Sequence, residues 1–540
     1  MSVNTDGSKS FMQKLLDVVE RVGNLVPHPV IIFLVLIGVV VVLSQVFYMT
    51  GTSVSTEVMV PRDPAPAADA TYNASDYDTA GKFQYQAVDE DNFQLETRTI
   101  TVRSLLTRDG IRFIYSSLVP SFMAFTAVGL MIVALLGAGV AEASGLVNAL
   151  IRMLVKVSPR WAMTYILAFV GIMASIAADA GYLVLIPLAG TAFLSLRRHP
   201  LAGLALGFAA VASAFTVNML IKPLDAVLVE FTNDAIALVD PSKSIGLASN
   251  LWFSIASVLV LTLVVAFITE RLIEPRLGEY TGEKPSEESG DLSPAESRGL
   301  MFALIGLVVV LGVFALLTLP ANAPLRNPDT GELIGNSPFM NGLIGLIMVL
   351  FLATGAAYGF VTGAFKNVTD IIKAMEKAMS GMGGLILLFF VLSHFVAYFN
   401  YTNMGTILAM KLSDMLRTAN FPPLLLLIGF IVVVALLDLL ITGAIAKWAL
   451  FAPIFVPLLM NLGVAPEAVL AAYRVADSPM NAITPLNAYF VLVVGFAQKY
   501  DKNAGVGTIV SLMLPYVVIM FIVWTALFAG WQVAGLPWGL

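Results

Sequence analysis

Residues 160–198 read RWAMTYILAFVGIMASIAADAGYLVLIPLAGTAFLSLRR, and the length and flanking charges of this stretch indicate the topology of the chain. The apolar part, 162–196, has 35 residues, and as one straight helix it would be about 52 Å long, against a hydrocarbon core of about 30 Å. Two complete spans with a turn would need more residues than this. Because basic residues flank both ends and favour the cytoplasmic side, the stretch predicts a re-entrant hairpin.

Composition places such segments in a membrane. The chain has 540 residues, of which 58% are hydrophobic and 12% charged, whereas soluble domains carry about 25% charged residues. The apolar runs are helix-length, unlike barrel strands, and backbone amides in lipid must be satisfied within their own segment. The prediction is an all-α polytopic membrane protein. The net charge of −6 without a basic block indicates no nucleic-acid partner, and the absence of cysteine excludes disulfides.

The apolar segments predict about nine transmembrane helices and two re-entrant hairpins. In that topology 17 Lys and Arg residues lie in cytoplasmic segments and four in short outer segments, which predicts a cytoplasmic N-terminus. The predicted divisions are a cytoplasmic interfacial segment 1–27, a first transmembrane helix 28–49, an extracytoplasmic cap 50–115, a first repeat 116–239, scaffold or dimerisation helices 249–362 with a cytoplasmic linker 270–298, a second repeat 380–499, and a last helix in 505–540.

The two repeats share one layout. The first contains hairpin 162–196 followed by a broken helix at 200–223, and the second contains hairpin 421–463 followed by a broken helix at 467–499. The first hairpin is predicted to open inward and the second outward. This is the pattern of an inverted repeat, whose binding site lies near the membrane midplane where the broken helices meet.

Ionisable residues inside apolar segments are costly and therefore mark functional candidates. Asp179 lies among small residues in the first hairpin and is predicted to be a cation ligand or proton carrier, with a helix cap as the alternative. Asp438 is predicted to be a second carboxylate of this kind. Lys222 and Lys447 are expected to extend their ammonium groups to the membrane interface.

The densest polar group lies in 474–485. Pro479 and Pro485 interrupt the helix, and freed carbonyls beside polar side chains suit a coupling cation such as Na⁺. Arg474 precedes Asp477 by three residues, so it is predicted either to pair with that carboxylate or to hold a solute carboxylate through two hydrogen bonds. The polar side chains of this group are Asp477, Ser478, Asn481 and Thr484.

Further polar and aromatic positions complete the predicted site. Trp448 in the second hairpin is predicted to stack on an aromatic solute or to pack internally. Pro466 is a predicted structural break, and His394 is expected to be a packing residue. The predicted solute contacts are Trp448, Arg474, Asp477, Pro485, Asn481, Thr442 and Gly443. The predicted ion or proton residues are Asp179, Asp438, Asp477, Ser478, Thr484 and Asn218. The predicted ligands of a candidate Na⁺ site are Asp179, Asp477 and Asn481.

Enzyme signatures are absent from the sequence. It contains no HExxH, GxSxG or Walker A motif, no cysteine and only three histidines. The chain is therefore predicted not to be an enzyme and to need no cofactor. Uphill transport would have to use an Na⁺ or H⁺ gradient.

Several motifs occur in one order along nearly the whole chain: Glu20–Asn24, Gly137–Glu142, Asp179–Ala180, Arg198–Pro200, Ile273–Gly278, Asn403–Gly405, Trp448 with Ala452–Pro457, and Arg474–Ser478. In these motifs the chain resembles the AbgT family of p-aminobenzoyl-glutamate transporters. Many members have Asn and Ser where this chain has Asp438 and Ile445, so the second hairpin carries an added charge here.

The resemblance implies a homodimer with nine spans and two hairpins per protomer, driven by Na⁺ or protons. It also implies that Asp179, Trp448, Pro466, Arg474, Asp477 and Pro485 are important positions. Family members are described both as importers of p-aminobenzoyl-glutamate and as exporters of sulfonamide-like antimetabolites, and these residues fix neither direction.

The leading hypothesis is a cation-coupled secondary transporter of a small aromatic or carboxylate solute in a bacterial inner membrane. The alternative is a dicarboxylate or short-chain acid symporter of the same hairpin architecture. A passive channel and a membrane scaffold subunit are the hypotheses of a different class.

Overall fold

A computed structural model describes residues 29–61, 93–156, 159–177, 181–281, 292–334, 337–418, 421–439, 443–484, 487 and 489–540. The predicted segment 1–27 and residues Asp179, Thr442 and Pro485 lie outside these ranges. Within them the chain is helical apart from one two-stranded ribbon, which confirms the all-α class.

The N-terminal part holds a span and a small cap. Strand β1 pairs antiparallel with β2, with Ser53 opposite Thr101. The prediction of the cap 50–115 did not include these strands. The first long helix of the repeat predicted at 116–239 begins at Ala127, after two short helices. The elements are α1 Pro29–Met49, β1 Ser53–Pro61, β2 Phe93–Thr101, α2 Arg108–Ser116 and α3 Leu118–Met123.

The first repeat contains a hairpin and an interrupted helix. Its broken helix was predicted at 200–223, but a second half-helix follows the break and extends to Ile236. That half was missed because its polar residues, Asp225 and Glu230 among them, resemble a loop. The elements are α4 Ala127–Ala143, α5 Leu146–Lys156, the hairpin arms α6 Met163–Met173 and α7 Ile186–Ser195, and the half-helices α8 Pro200–Ala212 and α9 Pro223–Ile236.

A central group of helices links the repeats. The linker predicted at 270–298 is shorter, because a π-turn at Thr269–Ile273 continues the preceding helix to Leu277. Helix α14 lies so close to α4 that a Cβ atom on Gly355 would come within 2.7 Å of the Ala141 Cα, the close approach that small residues permit between membrane helices. The elements are α10 Leu251–Ile268, α11 Glu274–Leu277, α12 Pro294–Thr318, α13 Pro338–Asn341, α14 Leu343–Thr362 and α15 Val368–Ser380.

The second repeat has the same order of elements. Its hairpin arms run antiparallel, because the Phe430 and Phe455 rings lie 4.7 Å apart while Asp438 and Lys447 pair at the tip. The elements are α16 Gly383–Tyr401, α17 Met404–Thr418, the hairpin arms α18 Pro423–Asp438 and α19 Ala444–Asn461, the half-helices α20 Pro466–Asp477 and α21 Phe490–Gln498, and then the last helix, α22 Val506–Val533.

Prolines explain where many of these arms start. Pro200, Pro223, Pro423 and Pro466 each occupy the first turn of a helix, where the missing N–H costs no hydrogen bond and the fixed φ angle suits the helix. Pro466, predicted as a structural break, therefore begins the half-helix α20. Pro479 begins the short 3₁₀ turn that follows α20.

The described residues agree with the predicted span count. Seven helices are long and apolar enough to cross a membrane, and Ala127–Ala143 with Leu146–Leu154, bent by 65°, makes an eighth. One of the seven, Ala444–Asn461, is an arm of the second hairpin. With that arm set aside and the two interrupted helices counted, nine spans and two hairpins result.

The hairpins open toward opposite ends of the continuous span Leu251–Leu277. At the base of the first hairpin, the Arg198 Nη1 donates to the Thr164 Oγ1 at 2.7 Å and the Arg198 Nε to Glu274 at 2.8 Å, near the end of that span. After the second hairpin, the Asn250 amide at the start of the span donates to the Glu467 carbonyl at 3.0 Å. These contacts agree with the predicted inverted repeat.

Candidate functional site

The breaks of the two interrupted helices contact each other in the protein interior. The Thr216 N–H donates to the Ser478 Oγ at 3.0 Å, and the Thr216 hydroxyl donates to the Arg474 carbonyl at 2.9 Å and contacts the Ser478 hydroxyl. Every residue of the half-helix before the first break, α8, is buried. The predicted meeting of the two broken helices is therefore present in the structure.

Side chains satisfy the backbone groups that the first break releases from helical bonding. The Asp225 carboxylate accepts from the Lys222 N–H at 2.8 Å, and the Asn218 Oδ1 accepts from the Leu220 N–H at 3.0 Å. The Phe215 carbonyl accepts from the Lys222 ammonium. Such partners let irregular backbone persist within a membrane protein.

Arg474 reaches across to the first repeat. Its Nη1 donates to the Asp225 Oδ1 at 2.6 Å and to the Thr216 carbonyl at 2.7 Å, and its Nε donates to the Asn250 Oδ1 at 3.2 Å. The alternative in which Arg474 pairs with Asp477 is therefore wrong for this conformation. The Arg474 Nη2 donates no hydrogen bond to any described residue, so that side of the guanidinium is available to another acceptor.

Lys222 lies beside this ion pair and not at the interface. Its side chain is 1% exposed, and the ammonium donates to the Ser175 Oγ at 3.3 Å. The expectation that Lys222 extends to the interface is wrong, because α9 turns inward immediately after it. We call Lys222, Asp225 and Arg474 the arginine cluster; with all three ionised, its formal charge is +1.

A second buried group of charges lies at the tip of the second hairpin. The Lys447 Nζ is 2.7 Å from the Asp477 Oδ1 and forms a close ion pair with Asp438. All three residues are fully buried, so the interfacial position expected for Lys447 is also wrong. The reason is that a re-entrant tip ends among helices, where no interface is within reach. We call Asp438, Lys447 and Asp477 the lysine cluster; its formal charge is −1.

An aromatic pair supports the lysine cluster. Trp448 is fully buried, its ring lies 4.5 Å from the Tyr473 ring, and its N–H donates at 3.0 Å to both the Leu228 carbonyl and the Thr232 hydroxyl. The Tyr473 hydroxyl contacts Asp477 at 2.9 Å. In this conformation Trp448 packs internally, which was the second of its two predicted roles.

The remaining predicted residues divide between the two hairpins. The Asn218 amide donates to the Met173 carbonyl at 3.0 Å, next to the first hairpin's break. Thr484 donates to the Leu439 carbonyl at 3.2 Å, at the second hairpin's tip, and Asn481 donates to the Asp477 carbonyl at 3.2 Å. Gly443 has a φ of +97°, which turns the chain into α19 and which few other residues adopt.

No group of three or more His, Cys, Asp or Glu side chains within the described ranges is arranged to hold a metal ion. Because Asp179 lies outside those ranges, the predicted Na⁺ site of Asp179, Asp477 and Asn481 stays a prediction. His394 is a packing residue as expected, since its ring nitrogens lie 2.6 Å from the Phe390 carbonyl and 3.0 Å from the Leu118 carbonyl.

Sequence comparison decides the family of this chain. The model of the AbgT putative transporter family matches residues 14–540. The chain belongs to the AbgT family. The p-aminobenzoyl-glutamate transport protein of Escherichia coli (strain K12) is 32% identical over 540 residues, which cover 100% of this chain and 98% of that relative.

Two solved structures share the fold of this AbgT family member. The YdaH transporter of Alcanivorax borkumensis, reported to have an unusual topology, is 38% identical with a TM-score of 0.84, over 95% of this chain and 100% of that one. MtrF of Neisseria gonorrhoeae, whose structure and function are reported to illuminate a class of antimetabolite efflux pumps, is 38% identical to this chain. Its TM-score is 0.83, over 96% of this chain and 97% of that one. The chain is therefore a multi-pass membrane protein of a transporter family.

Sequence reasoning missed three residues of the site in this AbgT protein. Asp225 and Asn250 bind Arg474, but Asp225 follows the broken helix predicted at 200–223 and Asn250 lies at the start of the predicted scaffold segment 249–362. Tyr473 contacts Asp477 from four residues earlier in the same helix. That i, i+4 spacing was the one signal that would have found it.

Proposed function

We propose that this protein is a cation-coupled secondary transporter of a small solute that carries aromatic and carboxylate groups. The favoured solutes are p-aminobenzoyl-glutamate, named for the E. coli relative, and sulfonamide-like antimetabolites, in keeping with the efflux-pump class of MtrF. Such a protein moves its solute without chemical conversion. The coupling ion is Na⁺ or H⁺.

The observation that carries the proposal is the crossing of two interrupted helices that each bring buried charge to the crossing. Arg474 lies in α20 and binds Asp225 of α9, while Asp477 of the same α20 binds Lys447 of the second hairpin. Ionised groups are expensive in a membrane and persist where they serve transport. Broken helices that meet in this way form the solute and ion sites of many secondary transporters.

The arginine cluster suits the anionic end of the solute. Its formal charge is positive, and the Arg474 Nη2 has no hydrogen-bond acceptor among the described residues. Guanidinium groups bind carboxylates with strong, directed hydrogen bonds. Among the described residues, the Lys222 ammonium hydrogen-bonds two neutral oxygens, those of Ser175 and Phe215. A second carboxylate on the solute could therefore pair with this ammonium.

The cation side is assigned to the second hairpin and the two breaks. Asp438, Asp477, Ser478, Thr484 and Asn218 supply oxygen atoms there, and Asp179 is the proposed partner from the first hairpin. Hard cations prefer such oxygen ligands. Direct stacking of Trp448 on an aromatic solute would require its indole to leave Tyr473, so we assign Trp448 to the support of this site.

We propose a bacterial inner membrane as the location, with a cytoplasmic N-terminus, and a homodimer as the assembly. The excess of Lys and Arg in the predicted cytoplasmic segments supports the orientation. Because the chain has no cysteine, single cysteines at positions 160 and 197 should react with a membrane-impermeant thiol reagent from the cytoplasmic side only. Reaction of the two positions from opposite sides would contradict the topology.

The decisive test is a flux assay in proteoliposomes with imposed Na⁺ or pH gradients. The solutes are p-aminobenzoyl-glutamate, a sulfonamide without a carboxylate, and a short-chain dicarboxylate. We expect accumulation of the first or second solute above equilibrium only while a cation gradient is present. Flux that follows the solute gradient alone would indicate a channel, and preference for the dicarboxylate would favour the alternative symporter.

A further inference from the structure

Lys447 occupies the position that a bound cation would take between two carboxylates. Its ammonium pairs with Asp438 and lies 2.7 Å from the Asp477 Oδ1, and the side chains of all three residues are at most 1% exposed. The residue is therefore a cation covalently attached to the hairpin, and its ammonium lies between two buried carboxylates.

The carboxylates of this cluster have more acceptor capacity than the structure uses. Apart from the contacts with Lys447, neither Asp438 oxygen nor the Asp477 Oδ2 has a hydrogen-bond partner in the described part of the chain. The Asp477 Oδ1 also lies 2.9 Å from the Tyr473 hydroxyl, whose single proton is shared with the Ala444 carbonyl at 2.5 Å. Buried carboxylate oxygens without partners are unfavourable, so a cation that fills their capacity would bind favourably.

The ion pairs also join two elements that belong to different parts of the site. Asp438 and Lys447 lie on the two arms of the second hairpin, whereas Asp477 is the last residue of α20 before its break. Any movement of the hairpin tip away from α20 must separate Lys447 from Asp477. The position of the ammonium is therefore linked to the position of the hairpin.

We propose that Lys447 is a tethered competitor for the coupling cation at Asp438 and Asp477. While the ammonium lies between the carboxylates, it neutralises one of them and holds the hairpin against α20. A monovalent hard cation such as Na⁺ and the ammonium occupy the site in turn, so that entry of one accompanies departure of the other. The inference rests on the cation coupling proposed above and names a residue that regulates it.

The test is direct Na⁺ binding to purified protein, since this readout does not depend on solute transport. The central variant is Asp438→Asn with Lys447→Met, which removes one negative and one positive group and so keeps the cluster's formal charge at −1. The single variant Lys447→Met removes only the ammonium. Lys447→Arg retains the positive charge and is the matched control.

We expect the double variant to bind ²²Na⁺ with an apparent affinity at least about tenfold higher than wild type, because a competing unit charge in a poorly polarisable site has been removed. Its thermal unfolding temperature should rise with NaCl but not with choline chloride of equal concentration. Lys447→Met should respond in the same direction. Lys447→Arg should keep the weak Na⁺ response of wild type.

Two results would overturn the proposal. One is a folded double variant whose Na⁺ affinity and Na⁺-dependent stability equal those of wild type. The other is failure of both methionine-containing variants to fold even in saturating NaCl, because the proposal requires Na⁺ to be able to replace the ammonium. Either result would leave the transport function itself to be decided by the flux assay, in which wild-type protein alone is needed.

Discussion

The arginine cluster and the lysine cluster share one short helix but carry opposite formal charge. Helix α20 supplies Arg474 to the first and Asp477 to the second, three residues apart. The first cluster has two cationic groups and one carboxylate, and the second has two carboxylates and one cationic group. The formal charge is therefore +1 for the arginine cluster and −1 for the lysine cluster.

This difference suggests how one helix can couple two ligands. A buried charge that lacks a partner is strongly destabilising. In the function proposed above, an anionic solute therefore binds at the arginine cluster, and a cation replaces the Lys447 ammonium between Asp438 and Asp477. Arg474 and Asp477 both lie on α20, so a ligand that binds at one cluster and shifts this helix would also change the position of the charged residue in the other cluster. Coupling of this kind needs differential affinity of each ligand for two conformations.

The largest expected effect is that of Arg474→Ala. The change leaves Asp225, Asn250 and the Thr216 carbonyl buried without their shared donor, and removal of one partner from a buried ion pair costs about 3–5 kcal/mol. We expect no measurable transport and a lower unfolding temperature. Arg474→Lys is the control: it should restore much of the stability and little of the transport. Wild-type flux in Arg474→Ala would remove the arginine cluster from the mechanism.

Asp477→Asn should have the next largest effect, on the lysine cluster alone. The amide retains the size of the side chain, and the Tyr473 hydroxyl can still donate to it, but the cluster's formal charge becomes zero. We expect the protein to fold and to lose cation-driven uptake. The measurement is flux with and without an Na⁺ or pH gradient, alongside thermal unfolding. Uptake that retains its dependence on the gradient would show that the coupling ion binds elsewhere.

Lys222→Met should impair transport of solutes that carry a carboxylate more than transport of solutes that do not. Loss of the ammonium should raise the KM for p-aminobenzoyl-glutamate by about tenfold, the order of effect expected for one charge-assisted hydrogen bond. Transport of a sulfonamide without a carboxylate should change little. Lys222→Arg, which keeps the charge, is the matched control. An equal loss for both solutes would instead assign Lys222 a structural role.

The smallest effect is expected for Trp448→Phe, which keeps an aromatic ring on Tyr473 but loses the N–H bonds to Leu228 and Thr232. Each such buried hydrogen bond contributes about 1 kcal/mol, so the unfolding temperature should fall slightly while flux persists. Thr232→Val removes one of these acceptors and should give part of the same shift. A complete loss of flux in a stable Trp448→Phe protein would indicate that the indole contacts the solute directly.

Much of the fold was predictable because the bilayer imposes length and charge rules on the sequence. The 35-residue stretch between basic residues gave the first hairpin, and the Arg198–Thr164 contact agrees with it. The half-helix α9 was not predicted, because Asp225 and other polar residues lower its hydropathy. Its burial depends on partners in the second repeat, which no local pattern in the sequence reveals.

The sequence predicted which residues form the site better than it predicted which of them pair with each other. Arg474 and Asp477 stood out as ionisable residues next to a broken helix, yet their three-residue spacing suggested a mutual pair. The structure gives them separate partners, Asp225 and Lys447. Those pairings are 249 and 30 residues apart along the chain, so they follow from the tertiary arrangement of the repeats.

The two helix breaks touch at the close contact between the Thr216 and Ser478 side chains, and the proposed transport site depends on this contact. The chain lacks cysteine, so the double variant Thr216→Cys with Ser478→Cys can be oxidised in native membranes and analysed by mass spectrometry. We predict an intramolecular disulfide between these positions. Absence of that disulfide, in protein whose two thiols both react with a small thiol reagent, would show that the two breaks do not meet.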